Sequence, residues 1–408
     1  MIKKTVLLFY SKDYNDKTVS ALEKYFVETY QDCDVVSVAD EQYFPMHLAK
    51  RRKKETVMFL RNMPTFNLKK ELLQLKFTEK ARTAERVYKE PKPAKNFLTR
   101  FFKNQQTKKE LVKNIMARFD PDIVVCLDTA VINEVCRAQF LLKSECKILV
   151  LSTEFGFDKN IVNLGVDYYF VQNEDVKLKL LDYGFMTENI KVIGFPLDSD
   201  MLAQIDKQET KQIFGIDNLL PCILLMGGRF GSGHLINAFK NICELSTQFN
   251  IIALTGNSKK LKNRFNKIIG SKNLKNIYVI EEIDNMARLF SLCDIFISSP
   301  YSIDIYRSLL YNKPVILIKG CTSVEQANRE YILGKELAKS DAHLKKTIES
   351  LAQDFDNHNL DYGKGEVDVS SLVDTCDILY EFTCKAFSEK NHLITNYDKN
   401  FANTIKFD

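Results

Sequence analysis

The stretch Pro221–His234 carries the clearest chemistry in the chain: Pro-Cys-Ile-Leu-Leu-Met-Gly-Gly-Arg-Phe-Gly-Ser-Gly-His. An apolar run from Ile223 to Met226 reads as a buried strand and breaks at Gly227 and Gly228. Glycines return at Gly231 and Gly233, and a periodic segment from Leu235 to Leu245 reads as a helix. Strand, glycine-rich turn and helix start together make an anion-binding device. Free backbone N–H groups and the positive end of the helix dipole point at a phosphate, and glycine lets the backbone come close. The order suits a nucleotide, but the spacing is neither Walker A nor the dinucleotide fingerprint. A tight strand–helix turn without a ligand accounts for the same residues.

Such a turn needs parallel strands to hold it at a sheet edge, and strand and helix patterns alternate along the chain. Strands are expected over 5–10, 34–38, 122–126, 147–151, 168–172 and 191–194, and helices over 18–29, 111–118, 130–142 and 174–183. A second series begins at Ile223, with strands over 251–255, 277–280, 295–298 and 314–318. Its helices are expected over 260–269, 286–293, 303–311, 326–333, 340–354 and 373–388. Strands separated by helices imply parallel sheets covered on both faces. Two series joined near Pro196–Gln204 predict an α/β fold of two doubly wound, Rossmann-like domains facing a cleft. Ligands in such sheets sit beyond the carboxyl ends of the strands.

At 408 residues the chain exceeds one comfortable core, so two domains are the prior. Hydrophobic residues at 45% suffice for burial, and no apolar run reaches membrane-spanning length. The start, Met1 to Tyr10, has too short an apolar core for a signal peptide and reads as a first buried strand. Ten cysteines form no C-x-x-C pair, which argues for reduced thiols in a cytoplasm. Five scattered histidines offer no metal cluster, and no metal or cofactor is expected.

Several segments together are similar to a known family. Phe119-Asp120-Pro121-Asp122-Ile123-Val124-Val125 resembles its "K-P-D-x-I-V" strand. Ser152-Thr153-Glu154-Phe155-Gly156 followed by Val166-Asp167-Tyr168-Tyr169-Phe170-Val171 resembles "T-D-F-G … V-D-x-Y-F-V". Lys191 to Leu197 resembles the "K-V-x-G-I-P-V" hinge, and Leu225 to Gly231 the diphosphate loop. Asp284-Asn285-Met286-Ala287 and Cys293 to Ile297 resemble "N-M-x-E-L-M-x-A-A-D-x-x-I". The chain therefore resembles the GT-B glycosyltransferases that include diacylglycerol glucosyltransferases and monogalactosyldiacylglycerol synthases. The resemblance implies residues 1–196 as an acceptor and membrane-side domain and 197–384 as a nucleotide-sugar domain. It also implies a C-terminal helix, about 385–408, packing back on the first domain.

Its implied activity is transfer of a hexose from a UDP-sugar to a lipid or glycan acceptor, with a degenerate site. The first loop, Ser11 to Asp16, has neither the family's glycines nor its histidine, and Asp128 stands where another histidine would be. The "K-P-G-G" loop is Ser299-Pro300-Tyr301-Ser302, and Arg307 replaces the ribose-binding glutamate. Of "Q-E-x-x-N", Glu325 and Asn328 remain. Such a reaction needs a clamp on the leaving diphosphate and a base for the acceptor hydroxyl. Gly227, Gly228, Arg229 and Gly231 would hold the diphosphate, with Gly256, Lys259 or Arg307 beside it. Asn285 and Met286 would meet the base, and Ser302 the sugar. Asp304 would replace the ribose carboxylate. Asp128, Asp13 or Asp16 would serve as base. Ordinary loop carboxylates fit equally, and Glu325 with Asn328 also fits a helix cap and a surface pair. A catalytically silent relative that binds nucleotide, lipid or a protein partner is the alternative.

The middle of the chain is strongly basic, from Lys50-Arg51-Arg52-Lys53-Lys54 onward. Phe97, Phe101 and Phe102 stand among Lys92, Lys95, Arg100 and Lys103, as suits an interfacial helix on an anionic bilayer. A solvated helix packing its phenylalanines on the core is the other reading. The protein is thus expected as a peripheral protein on the cytoplasmic face of a membrane. No recognised nucleic-acid motif is present, and no nucleic-acid partner is expected.

Overall fold

The structure is a computed structural model. It describes residues 3–43, 108–196, 205–216, 219–227, 233–256, 258–272, 274–281, 283, 285–320, 322–356 and 372–404, with backbone alone at 12–17, 233, 354–356 and 392–404. The expected membrane helix around Phe97–Lys103, most of the expected linker, and Gly228, Arg229 and Gly231 lie outside the described residues.

The apolar runs form two six-stranded sheets in which every pair is parallel. The first contains β1 (Lys4–Tyr10), β2 (Cys33–Ala39), β3 (Ile123–Cys126), β4 (Lys147–Leu151), β5 (Tyr168–Val171) and β6 (Ile190–Val192), in the order β2-β1-β3-β4-β5-β6. The second contains β7 (Cys222–Met226), β8 (Asn250–Leu254), β9 (Ile277–Ile280), β10 (Ile295–Ser298), β11 (Val315–Leu317) and β12 (Lys339–Ser340). Its order, β12-β11-β10-β7-β8-β9, is the doubly wound dinucleotide-fold arrangement read from the other edge. The sheets do not join across Lys191 and Ile223.

Helices cover both faces. They are α1 (Lys12–Thr29), α2 (Asp40–Tyr43), α3 (residues 108–119), α4 (Ile132–Leu142), α5 (Glu174–Asp182), α6 (Lys207–Ile213), α7 (Gly233–Ile242), α8 (Lys259–Lys272), α9 (Met286–Leu292), α10 (Ser302–Leu310), α11 (Ser323–Gly334), α12 (Leu344–Asp356) and α13 (Leu372–Thr404). Side chains alternate along each strand, so Leu7, Phe9, Val124 and Cys126 enter one core while Val6, Leu8, Ile123 and Val125 enter the other. The described cysteines form no disulfide.

Three aspartates set the register. Asp122 and Asp294 stand just before β3 and β10, and Asp167 just before β5. Each accepts a backbone N–H from the neighbouring strand at 2.8 Å: Asp122 from Thr5, Asp167 from Ile148, Asp294 from Cys222. Each also donates its own N–H to the same residue's carbonyl. A one-residue slip would break these bonds and turn each strand's core face outward.

Two helices depart from expectation. The helix expected from 18 begins at Lys12, so Ser11–Asp16 is not an open loop but the first turns of α1. The apolar periodicity starts only at Val19, which hid those polar turns. The separate helices expected over 373–388 and from about 385 are one element, α13, of 33 residues; its sequence holds no glycine or proline to interrupt it. The first part of α13 buries Leu372, Cys376 and Leu379 with Val6, Leu8 and Phe26. Its Tyr380 ring stacks on Tyr30 at 3.8 Å between centroids, and its Lys390 reaches Asp122 at 3.4 Å.

Candidate functional site

Each sheet reverses its winding at one crevice. In the first it lies between β1 and β3, in the second between β7 and β10. These are the places where loops diverge and leave room for a ligand. After β7 comes Gly227, at which a Cβ would stand 2.6 Å from the buried Leu235 side chain of α7, so this turn has no room for a side chain. After β10 come Ser299, Pro300 and Tyr301, leading to Ser302 at the start of α10. Gly227 and the Ser302 turn therefore share the second crevice. Gly256 follows β8 with φ of 54°, and Lys259 opens α8. Asn285 caps α9, its side chain accepting from Ala287 N at 2.9 Å, and Met286 is buried beside it.

Asp304 and Arg307, expected near a ribose, form a buried ion pair with each other at 2.9 Å. The Ser298 and Ser299 hydroxyls and Arg307 Nε are buried without a hydrogen-bond partner. Glu325 closes a capping box with Thr322 at the start of α11, as the cap reading expected. Asn328 is no surface residue: it is 1% exposed.

In the first crevice, Asp13 and Asp16 sit on the opening turns of α1 beyond β1. Asp128 lies beyond β3, and its carboxylate accepts from Tyr43 OH at 2.7 Å and from Ala130 N at 2.9 Å. Burial, with the Asp128 charge beside it, pushes the Tyr43 phenol well up, so Tyr43 stays a donor that fixes this carboxylate.

The carboxyl ends of the two sheets meet. Glu154, Phe155 and Gly156, just beyond β4, touch the starts of α10 and α11. Glu154 Oε2 accepts from Ser302 Oγ and from Asn328 Nδ2, both at 2.6 Å. Phe155 N donates to Ser302 Oγ at 3.3 Å, and Gly156 N to Asn328 Oδ1 at 2.8 Å. Beneath them Phe155 and Phe195 pack on Tyr306 of α10, and Phe155 on Tyr331 of α11. Lys335 and Asp175 add an ion pair at 2.9 Å across the same seam. Burial pushes the Glu154 carboxyl up to about 7, against the two hydrogen bonds that favour its charge. A small pocket beside it is lined by Thr18, Thr153, Glu154, Phe195, Pro196, Tyr301 and Ile303. Of the residues singled out from sequence, the structure thus gathers Ser302 and Asn328 around Glu154, whose role the sequence did not reveal. Its visible signals were its place at the carboxyl end of a predicted strand and in the segment resembling "T-D-F-G".

A family model described as monogalactosyldiacylglycerol (MGDG) synthase matches residues 43–197. The processive diacylglycerol beta-glucosyltransferase of Staphylococcus haemolyticus is 24% identical over 246 residues, which cover 60% of this chain and 62% of that one. That of Bacillus pumilus is 27% identical over 184 residues, 44% of this chain and 46% of that one. The chain is a distant homologue of these glycosyltransferases.

The matched part spans about half the length of these diacylglycerol glucosyltransferases. Solved structures agree on the fold. UDP-GlcNAc 2-epimerase from Neisseria meningitidis, bound to UDP-GlcNAc, superposes with a TM-score of 0.60 at 15% identity, over 94% of this chain and 100% of that one. MurG of Acinetobacter baumannii gives 0.55 at 14%, over 93% and 99%. This homologue of the diacylglycerol glucosyltransferases therefore has a GT-B-like fold. Among its described residues no helix is long and apolar enough to cross a membrane, and no cluster of His, Cys, Asp and Glu is placed to hold a metal ion.

Proposed function

We propose that this chain is a hexosyltransferase that moves a sugar from a UDP-sugar to a membrane lipid. Residues 1–196 would take the acceptor at the cytoplasmic face of the membrane and 197–384 the nucleotide. The observation that carries the reading is the close-packed Gly227 after β7, beside the start of α10 at the winding reversal of the second sheet, in a homologue of lipid glycosyltransferases. Backbone N–H groups of the turn bind the diphosphate. The sugar C1–O bond to the diphosphate breaks and a bond from C1 to the acceptor oxygen forms. The acceptor proton passes to a carboxylate, for which the candidate is Asp128, held by Tyr43 OH and Ala130 N beyond β3.

Two outcomes test this. UDP binds the parent protein in calorimetry, and Gly228→Val abolishes that binding by blocking backbone approach. No heat with UDP or a UDP-sugar would reject the proposal. In a transfer assay with lipid vesicles, Asp128→Asn lowers kcat by roughly 10²–10⁴-fold, the usual worth of a general base, and leaves KM near the parent value.

A second reading is a silent relative that binds nucleotide without transfer. It is favoured by the engagement of Ser302 and Asn328 with Glu154 and of Arg307 with Asp304. UDP binding without turnover of any UDP-hexose on lipid extract would select it.

A further inference from the structure

We propose that Glu154 is a proton-operated latch across the cleft: protonated, it holds the loop after β4 against the starts of α10 and α11, and ionised, it lets them part. Three consecutive residues make the contact. Glu154, Phe155 and Gly156 each hydrogen-bond to Ser302 or Asn328, which belong to the other sheet's helices. Ser302 and Asn328 are themselves buried, and the half-buried carboxyl docks on them over a floor of Phe155, Phe195 and Tyr306.

The sign follows from what docking does to this acid. Parted and solvated, the carboxyl keeps its ordinary value of 4.5; docked, burial lifts it to about 7. The docked state therefore binds the proton more tightly, and the proton favours docking. The help is complete below pH 4.5, is lost progressively between 4.5 and 7, and is absent above 7. The two hydrogen bonds oppose this shift but do not cancel it.

The charges around Glu154 push the same way. Asp158, on its own loop, and Glu325, at the start of α11, both disfavour its ionised form. On α10 the nearest charged groups, Asp304 and Arg307, close on each other. The Lys335–Asp175 pair, at 2.9 Å, is a second contact across the seam that does not involve Glu154. The shift corresponds to a docking constant that falls on the order of a hundredfold from pH 4.5 to above 7. The latch is independent of which ligand fills the cleft, so a failure to bind UDP leaves it standing. Because Ser302 and Asn328 also line the proposed donor site, alkaline release would free both for a ligand.

Small-angle scattering and amide exchange of residues 323–331, corrected for the intrinsic effect of pH, test the full chain at pH 5 and pH 8.5. The parent is expected to grow in maximum dimension and to lose protection at the start of α11 at pH 8.5. Glu154→Gln keeps the shape and the acceptor oxygen without the titration, and should stay compact and protected at both pH values. Glu154→Ala should likewise lose the pH response, and stands in if the glutamine variant does not fold. A parent with the same dimension and protection at both pH values overturns the proposal, and so does a glutamine variant that still opens.

Discussion

Gly156→Ala is expected to cost about 3 kcal/mol of stability, the upper part of the range for an overpacked site. A Cβ on Gly156 would stand 2.3 Å from the Ala327 carbonyl carbon, 2.4 Å from its oxygen and 2.7 Å from Asn328 N. All three are backbone atoms of α11, so no side chain can swing aside. Either the loop after β4 or the whole helix has to move. The Gly156 N to Asn328 Oδ1 bond then lengthens, and the Asn328 Nδ2 donor to Glu154 moves with the helix. Urea unfolding followed by fluorescence and by amide exchange of residues 323–331 measures it. Loss of protection in α11 before the sheets unfold is the expected pattern. A change below 0.5 kcal/mol, a level typical of unconstrained surface sites, would show that the contact is looser than described.

Asp122→Ala is expected to cost a similar amount, about 3 kcal/mol. Asp122 is buried, and its carboxylate serves two masters: Thr5 N at 2.8 Å and the Lys390 ammonium at 3.4 Å. Removal leaves a buried strand N–H without its acceptor. Lys390 keeps Asp120, an exposed carboxylate, and the carbonyls of Asp120 and Pro121, which limits the loss. Asp122→Asn keeps an acceptor for Thr5 and should recover more than half of it. Thermal unfolding of the pair decides; equal destabilisation by alanine and asparagine would mean that the charge, not the register bond, matters.

The same aspartate shows what the sequence disclosed and what it withheld. Asp122, Asp167 and Asp294 were legible as parts of motifs because each precedes an apolar run. Local pattern is enough to locate strands, and the strands with their alternating helices were enough to predict two Rossmann-like sheets. The purpose of the carboxylates was not legible, since it depends on a backbone N–H in another strand. Helix starts were blurred where, as at Lys12–Lys17, the first turns carry no apolar period. The site was legible by half. Gly227 stands where the apolar run of β7 breaks, and Ser302 and Asn328 were picked out by resemblance. Glu154 escaped because its partners lie 148 and 174 residues further along the chain. No spacing rule reaches across such an interval.

The position of α13 has a consequence for biosynthesis. One face of the first sheet, with Val6, Leu8, Ile123 and Val125, shares its core with Leu372, Cys376 and Leu379. A ribosome delivers those three residues only after every strand of both sheets has emerged. The half of the molecule made first is therefore the half completed last. Until the final helix docks, the nascent chain carries an uncovered apolar surface, the kind of surface that chaperones recognise and that aggregates when left alone.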